Sequence, residues 1–169
     1  MNPIFDGGRS LFLHRGAGAT FIHSLKYQNG TFLGPDLQLM LHACEPWLLR
    51  QGALQVVPVP LHPRRERERG YNQSDWIARQ LVGFLPDARF NPCLLRSRDT
   101  ETQTRLGADE RRENMKNAFA IHPKAVLDAD QTFLIVDDVL TTGSTLNACA
   151  RTLAAAGGKQ LKVFTLAHG

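Results

Sequence analysis

The sequence predicts an α/β fold: a mostly parallel, Rossmann-like sheet with helices on both faces. Three observations carry this reading. Short apolar runs alternate along the chain with segments of helical period, the pattern of a sheet built through helical crossovers. Residues 133–136, FLIV, are apolar at every position, as a strand buried on both faces is. Pro58, Pro60, Gly157 and Gly158 fall at the joins, where such residues stop strands and cap helices. The 169 residues suit one domain with its own core. Residues 1–17 read as a poorly defined N-terminal lead.

The elements follow in order. Residues 18–27 place Phe21, Ile22 and Leu25 on one helical face. Residues 35–49 repeat that pattern, with Pro46 interrupting or ending it. A short buried strand spans 54–57. Residues 73–85 carry Ile77, Leu81 and Leu85 at intervals of four, the spacing of a helix stripe. Residues 93–97 read as a strand, 99–116 as polar chain without a core face, and 117–121 as a returning strand. The last three elements are strand 133–136, helix 144–156 with Leu146, Cys149 or Ala150, and Leu153 inward, and strand 161–166.

Composition excludes several classes. Hydrophobic residues make up 43% and charged residues 21%, which rules out a disordered or membrane-embedded chain. No apolar run reaches the ~18 residues of a spanning helix. The start lacks the parts of a signal peptide. Cys44, Cys93 and Cys149 are isolated and odd in number, which fits a reducing, cytoplasmic setting rather than a disulfide framework. A formal charge of +4 permits an anionic partner without demanding one.

The chemistry concentrates after residue 136. Asp137 and Asp138 are expected at the carboxyl end of a buried strand, the edge where open α/β sheets bind ligands. Residues 141–145 then lie at a helix N-terminus, where free N–H groups and the helix dipole favour an anion. Two carboxylates accept well from the adjacent hydroxyls of a ribose and can orient the water shell of Mg²⁺. A sugar phosphate satisfies both halves. The loop has no lysine, so it is not a nucleoside-triphosphate loop of the Walker kind. The plainer reading makes the acids and hydroxyls helix caps. A receiver domain also carries an acid pair after an apolar strand, but needs a later Lys-bearing strand and a separate phosphoacceptor Asp; no further Asp follows Asp138.

FLIVDDVLTTGST, residues 133–145, resembles the 13-residue 5-phosphoribosyl 1-pyrophosphate (PRPP) signature of type I phosphoribosyltransferases. Residues 56–74, VVPVPLHPRRERERGYNQS, resemble the ComF family, named for bacterial competence proteins, as do LKYQNG at 25–30, the run 96–119 and TLNACARTLAAAGG after the signature. The resemblance implies a type I phosphoribosyltransferase fold with a mobile arm over the site. It implies that Asp137 and Asp138 hold the ribose diol, and that Val139, Leu140, Thr141, Thr142, Gly143, Ser144 and Thr145 form the 5′-phosphate loop. Mg²⁺ is implied as cofactor, held through ligand and water rather than by protein side chains.

Other residues are implied less directly. Residues 58–63 take the place of the pyrophosphate loop, with Arg64 and Arg65 as pyrophosphate contacts or as solvated side chains. Arg67 and Arg69 read as solvated, and His62 as a structural hydrogen-bonder. Lys26 is a phosphate contact or a helix-surface lysine. Arg98, Thr100 and Gln103, with Arg111, Arg112 and Asn114, match the family's arm. The chain departs from the family in two ways: Asn117 stands where Gly is usual, and the CxxC pairs of a zinc-binding segment are missing. As partners the resemblance implies PRPP or a related ribose phosphate, and single-stranded DNA with the competence machinery. Function divides between phosphoribosyl transfer and a non-catalytic PRPP-binding or DNA-handling role. If 99–116 is the arm, its amides gain protection from hydrogen exchange when PRPP and Mg²⁺ are added. Equal, strong protection in both states would make it a fixed hairpin.

Overall fold

The computed structural model describes residues 3–28, 30–96 and 118–169. Five strands form the main sheet: β1 (Gly8–Leu13), β2 (Leu54–Pro58), β3 (Ala88–Phe90), β6 (Thr132–Leu140) and β7 (Gln160–His168). Their order is β1-β7-β6-β2-β3 and every pairing is parallel. A separate antiparallel pair joins β4 (Leu94–Arg96) to β5 (Phe119–Ile121). The helices are α1 (Ala17–Tyr27), α2 (Gly34–Leu41), α3 (Glu45–Leu49), α4 (Pro63–Arg69), α5 (Gln73–Phe84) and α6 (Ser144–Ala155). Among the described residues, no helix is long and apolar enough to cross a membrane.

The two faces of the sheet bury different sets of side chains. Leu54, Val56, Leu134, Val136, Phe164 and Leu166 pack against Ile22, Leu25, Leu37, Leu41, Leu48, Ile77 and Leu81 from α1, α2, α3 and α5. Val57, Phe133, Ile135, Leu161 and Val163 pack against Leu146, Cys149, Ala150 and Leu153 of α6, and against Leu94 and Phe119. Apolar residues on both sides of β6 are what a central parallel strand requires. Cys44, Cys93 and Cys149 are free and buried. Burial pushes the Cys44 and Cys93 thiols up to about 11 and raises that of Cys149 as well, so all three serve as packing groups.

Several boundaries differ from the sequence reading. The lead 1–17 contains β1, which pairs with β7 at the far end of the chain; its polar first half, Gly8 to Ser10, hides the strand. Residues 35–49 are two helices, and Pro46 opens the second rather than ending the first. Proline suits the first turn, where its missing N–H would have no partner. The expected strand 93–97 is short and stands outside the main sheet. β3 and α4 had no periodic signal: one has three residues, the other no buried side chain. The expected strand 133–136 runs from Thr132 to Leu140, so it continues through both aspartates. Helix α6 closes as expected. Gly157, at φ +100, and Gly158 donate to Ala154 O and Leu153 O, both at 3.0 Å, the pattern of a Schellman cap.

Two glycines test the packing with opposite signs. A Cβ on Gly8 would meet Val163, with its carbonyl oxygen at 2.7 Å, whereas one on Gly83 of α5 would enter open space. Gly8→Ala is expected to cost about 1–3 kcal/mol, and Gly83→Ala to gain about 0.5–1 kcal/mol. Thermal melts read both, at roughly 2–4 °C per kcal/mol for a chain of this size.

Candidate functional site

Strand β6 outruns β2. Pro58 pairs with Val136, and Val59 N donates to Val136 O at 2.9 Å. Beyond that point, among the described residues, β6 is paired only with β7, through Asp137–Thr165, Val139–Ala167 and Leu140–His168. The chain leaves β2 toward β3 and leaves β6 toward β7, in opposite directions across the sheet. Such a reversal opens a crevice at the carboxyl ends of the two strands. The aspartates occupy it.

Strand alternation puts the two acids on opposite faces. Asp138 follows Leu134 and Val136 onto the side covered by α1 and α5, and is 5% exposed. Asp137 follows Phe133 and Ile135 toward α6 and is half-buried. Asp138 Oδ2 accepts from Gln73 Nε2 at 2.8 Å and pairs with Lys26 Nζ at 3.1 Å. Asp137 Oδ1 accepts from Ser74 Oγ and from the backbone N–H of Asp138, both at 2.9 Å. Burial, with the neighbouring Asp138 charge, pushes the Asp137 carboxyl up to about 7. The Asp138 N–H, Ser74 and Lys26 oppose that rise.

The run RGYNQS, residues 69–74, builds the wall behind the acids. Gly70 at φ +85 ends α4 in the left-handed region. Asn72 caps α5: its Oδ1 accepts from Ser74 N at 3.0 Å, and its Nδ2 donates to Val59 O at 3.0 Å. Tyr71 donates its hydroxyl to Leu25 O, and Arg69 donates to Gln73 Oε1. These bonds lock the first turn of α5, so Gln73 and Ser74 reach the carboxylates in fixed positions. In the sequence this run reads only as a family match, and Arg69 reads as a solvated side chain. The missed signal is local: two polar residues follow an N-cap Asn directly, before the apolar stripe begins.

The loop 141–145 leads from β6 into α6. Gly143, at φ +73, is the N-cap residue and has no side chain to close the first turn. The Thr142 and Ser144 hydroxyls lie 2.9 Å apart. Thr141 and Thr142 are exposed, while Gly143, Ser144 and Thr145 are half-buried. Val139 and Leu140 turn their side chains into the two cores, so only their backbone can serve a ligand.

The structure thus brings Asp137, Asp138, Lys26 and residues 141–145 to one end of the sheet. Lys26 faces a carboxylate and is 25% exposed. Arg64 and Arg65 lie on α4 rather than on a loop, paired with Glu68 at 3.0 and 3.6 Å. Arg98, Thr100, Gln103 and the rest of the expected arm lie outside the described residues. Among the described residues no group of three or more His, Cys, Asp or Glu could hold a metal. The second oxygens, Asp137 Oδ2 and Asp138 Oδ1, have no described protein partner, which suits a hard cation held through water and ligand oxygens. A cleft of about 730 Å³ lies elsewhere, between β3 and the segment 122–131. Its polar floor is already paired: Gln55 Nε2 donates to Asp128 O, and Asn91 Nδ2 to Gln55 Oε1 and Val126 O.

The crevice, the acid pair and the hydroxyl-rich helix entry define a phosphoribosyltransferase-type protein. The family model "Phosphoribosyl transferase domain" matches residues 77–169, and the chain belongs to that family. Within it the chain stands with the ComF proteins. It is 35% identical to competence protein F of Haemophilus influenzae over 87% of this chain and 66% of that protein. It is 35% identical to the DNA utilization protein YhgH of Salmonella typhimurium over 86% of this chain and 64% of that protein. Competence protein ComFC of Streptococcus pneumoniae is 28% identical over 94% of this chain and 66% of its own length. The chain therefore spans just under two thirds of the length of these three relatives.

The raised Asp137 carboxyl has a consequence for stability. Its ordinary value is 3.8 and its folded value about 7, so the folded state holds the proton more tightly. The resulting stabilisation is complete below about pH 4 and is lost as pH rises through about 7. Asp137→Asn removes the ionisation. The variant is expected to match the parent near pH 4 and to exceed it by roughly 1–2 kcal/mol at pH 8. Denaturant titrations at the two pH values measure this, and a variant less stable at pH 8 would contradict it.

Proposed function

We propose that this chain binds PRPP together with Mg²⁺ and serves a ComF-type role in DNA uptake. The observation that carries the reading is the acid pair at the strand-order reversal, one short loop away from a helix N-terminus that no side chain of its own cap residue closes. The free oxygens Asp137 Oδ2 and Asp138 Oδ1 accept from the 2′ and 3′ hydroxyls of the ribose. The first-turn N–H groups of α6 and the hydroxyls of residues 141–145 hold the 5′-phosphate. Lys26, Gln73 and Ser74 occupy the opposite carboxylate oxygens and so decide which lone pairs face the ligand. Mg²⁺, when bound, neutralises pyrophosphate charge as it departs. The protein's part is positioning and electrostatics: the acids fix the ring, and the loop fixes the phosphate against which C1 is presented.

Two outcomes are consistent with such a site. In phosphoribosyl transfer, a nucleophile bonds to C1 of the ribose while the C1–O bond to pyrophosphate breaks, and pyrophosphate leaves with the bonding pair. In a non-catalytic role, the same site senses PRPP while the protein handles single-stranded DNA. The relatives' names, competence protein and DNA utilization protein, support the DNA side of either. A screen of acceptors for pyrophosphate release separates the two.

The binding test uses Asp137→Asn/Asp138→Asn. The side chains keep their size and lose two charges. Calorimetry with PRPP and Mg²⁺ is expected to show at least a tenfold loss of affinity, about 1.4 kcal/mol, with the fold intact by circular dichroism. Ribose 5-phosphate should still compete weakly through residues 141–145. A double variant that binds PRPP as the parent does would remove the acids from the site.

A further inference from the structure

Tyr27 ends α1, one residue beyond Lys26, and is 70% exposed. Burial contributes little to a ring so open, yet the ring is held from two sides. His23, one helical turn earlier, packs with its ring centre 5.0 Å from that of Tyr27, tilted by 45°. The Arg69 guanidinium lies 5.7 Å from the centre of the Tyr27 ring. Arg69 also donates to Gln73 Oε1, and Gln73 in turn holds Asp138. The ring is thus tied to the acid site by two routes: through its neighbour Lys26, paired with Asp138, and through the relay Arg69–Gln73.

We propose that Tyr27, flanked by His23 and Arg69, is the stacking platform for an unpaired base of single-stranded nucleic acid at the lip of the acid site. The chemistry matches in three respects. An exposed aromatic ring stacks on any base, because every base presents a π face. A guanidinium beside that ring serves a polyanion twice, by cation–π contact with the ring and by pairing with phosphate oxygens. Arg67 is a second arginine of α4 and is exposed. An apolar protein partner would not be drawn to a ring edged by His and Arg, and a free base has no phosphates for the arginines. The platform rests on the proposed DNA role but lies beside the ribose-phosphate site, so PRPP binding serves as an internal control.

The test compares the parent, Tyr27→Ala and Tyr27→Phe. Fluorescence anisotropy measures binding of a labelled thymidine oligonucleotide and of a duplex of equal length, and calorimetry measures PRPP with Mg²⁺. Tyr27→Ala is expected to weaken single-strand binding about tenfold or more. Tyr27→Phe should stay within about twofold of the parent, since stacking needs the ring and not the hydroxyl. Both variants should bind PRPP as the parent does, and the duplex should bind more weakly than the single strand. Single-strand binding unchanged in Tyr27→Ala, absent in the parent, or matched by the duplex would overturn the platform. Competition by free thymidine as strong as by the oligonucleotide would overturn the assignment to a strand. Oligonucleotide binding through Tyr27 without PRPP binding would uphold the platform and overturn the ribose-phosphate reading instead.

Discussion

Two carboxylates sit side by side at the end of a buried strand, and the rest of the molecule is arranged around making that tolerable. Adjacent like charges repel, and the low-dielectric surroundings remove the water that would screen them. Asp138, almost fully buried, is offset by Lys26 and a hydrogen bond from Gln73. Asp137 is bonded by Ser74 and by the Asp138 amide, and still has its carboxyl pushed up to about 7. A solvated cap would have none of this. Desolvation raises the value of every polar contact in the crevice, for a ligand as well as for the protein.

That arrangement also explains why the segment before residue 77 is indispensable to the site. The family model begins inside α5 and covers the acids and the phosphate loop, but none of the side chains that steady the acids. Lys26 comes from α1, while Gln73 and Ser74 come from the first turn of α5. The Asn72 cap fixes that turn, and Tyr71 ties it back to α1 through Leu25 O. Each carboxylate keeps one oxygen occupied from behind and one open to the crevice. This division of lone pairs is a geometric property of the whole wall rather than of the signature.

Edge and centre of the sheet do different work. β6 and β7, each nine residues long, supply the rigid floor on which the acids stand. β2 stops at Pro58, and its early end opens the crevice. A longer β2 would pair with Asp137 and Asp138 and cover them, so the proline-rich turn after it matters by what it prevents. Its missing N–H groups cannot extend a ladder.

The sequence by itself determined the α/β class, α1, α5, α6 and β2, and the pairing of an acid couple with a hydroxyl-rich helix entry. Each of these is encoded by local period, punctuation or capping chemistry, which short windows of sequence carry. Tertiary structure alone decided the rest. β1 is a strand only because β7, at the opposite end of the chain, gives it a partner. Pro46 begins a helix because the turn before it had already broken the one preceding. The aspartates lie inside a strand rather than after it, since β7 continues the ladder where β2 leaves. Lys26, read as a phosphate contact or a surface lysine, faces Asp138 across more than a hundred residues of sequence. Arg69, read as solvated, bonds Gln73 and packs on Tyr27. Such contacts join residues distant in sequence or on different elements, and side-chain type does not record which partner the folded chain will present.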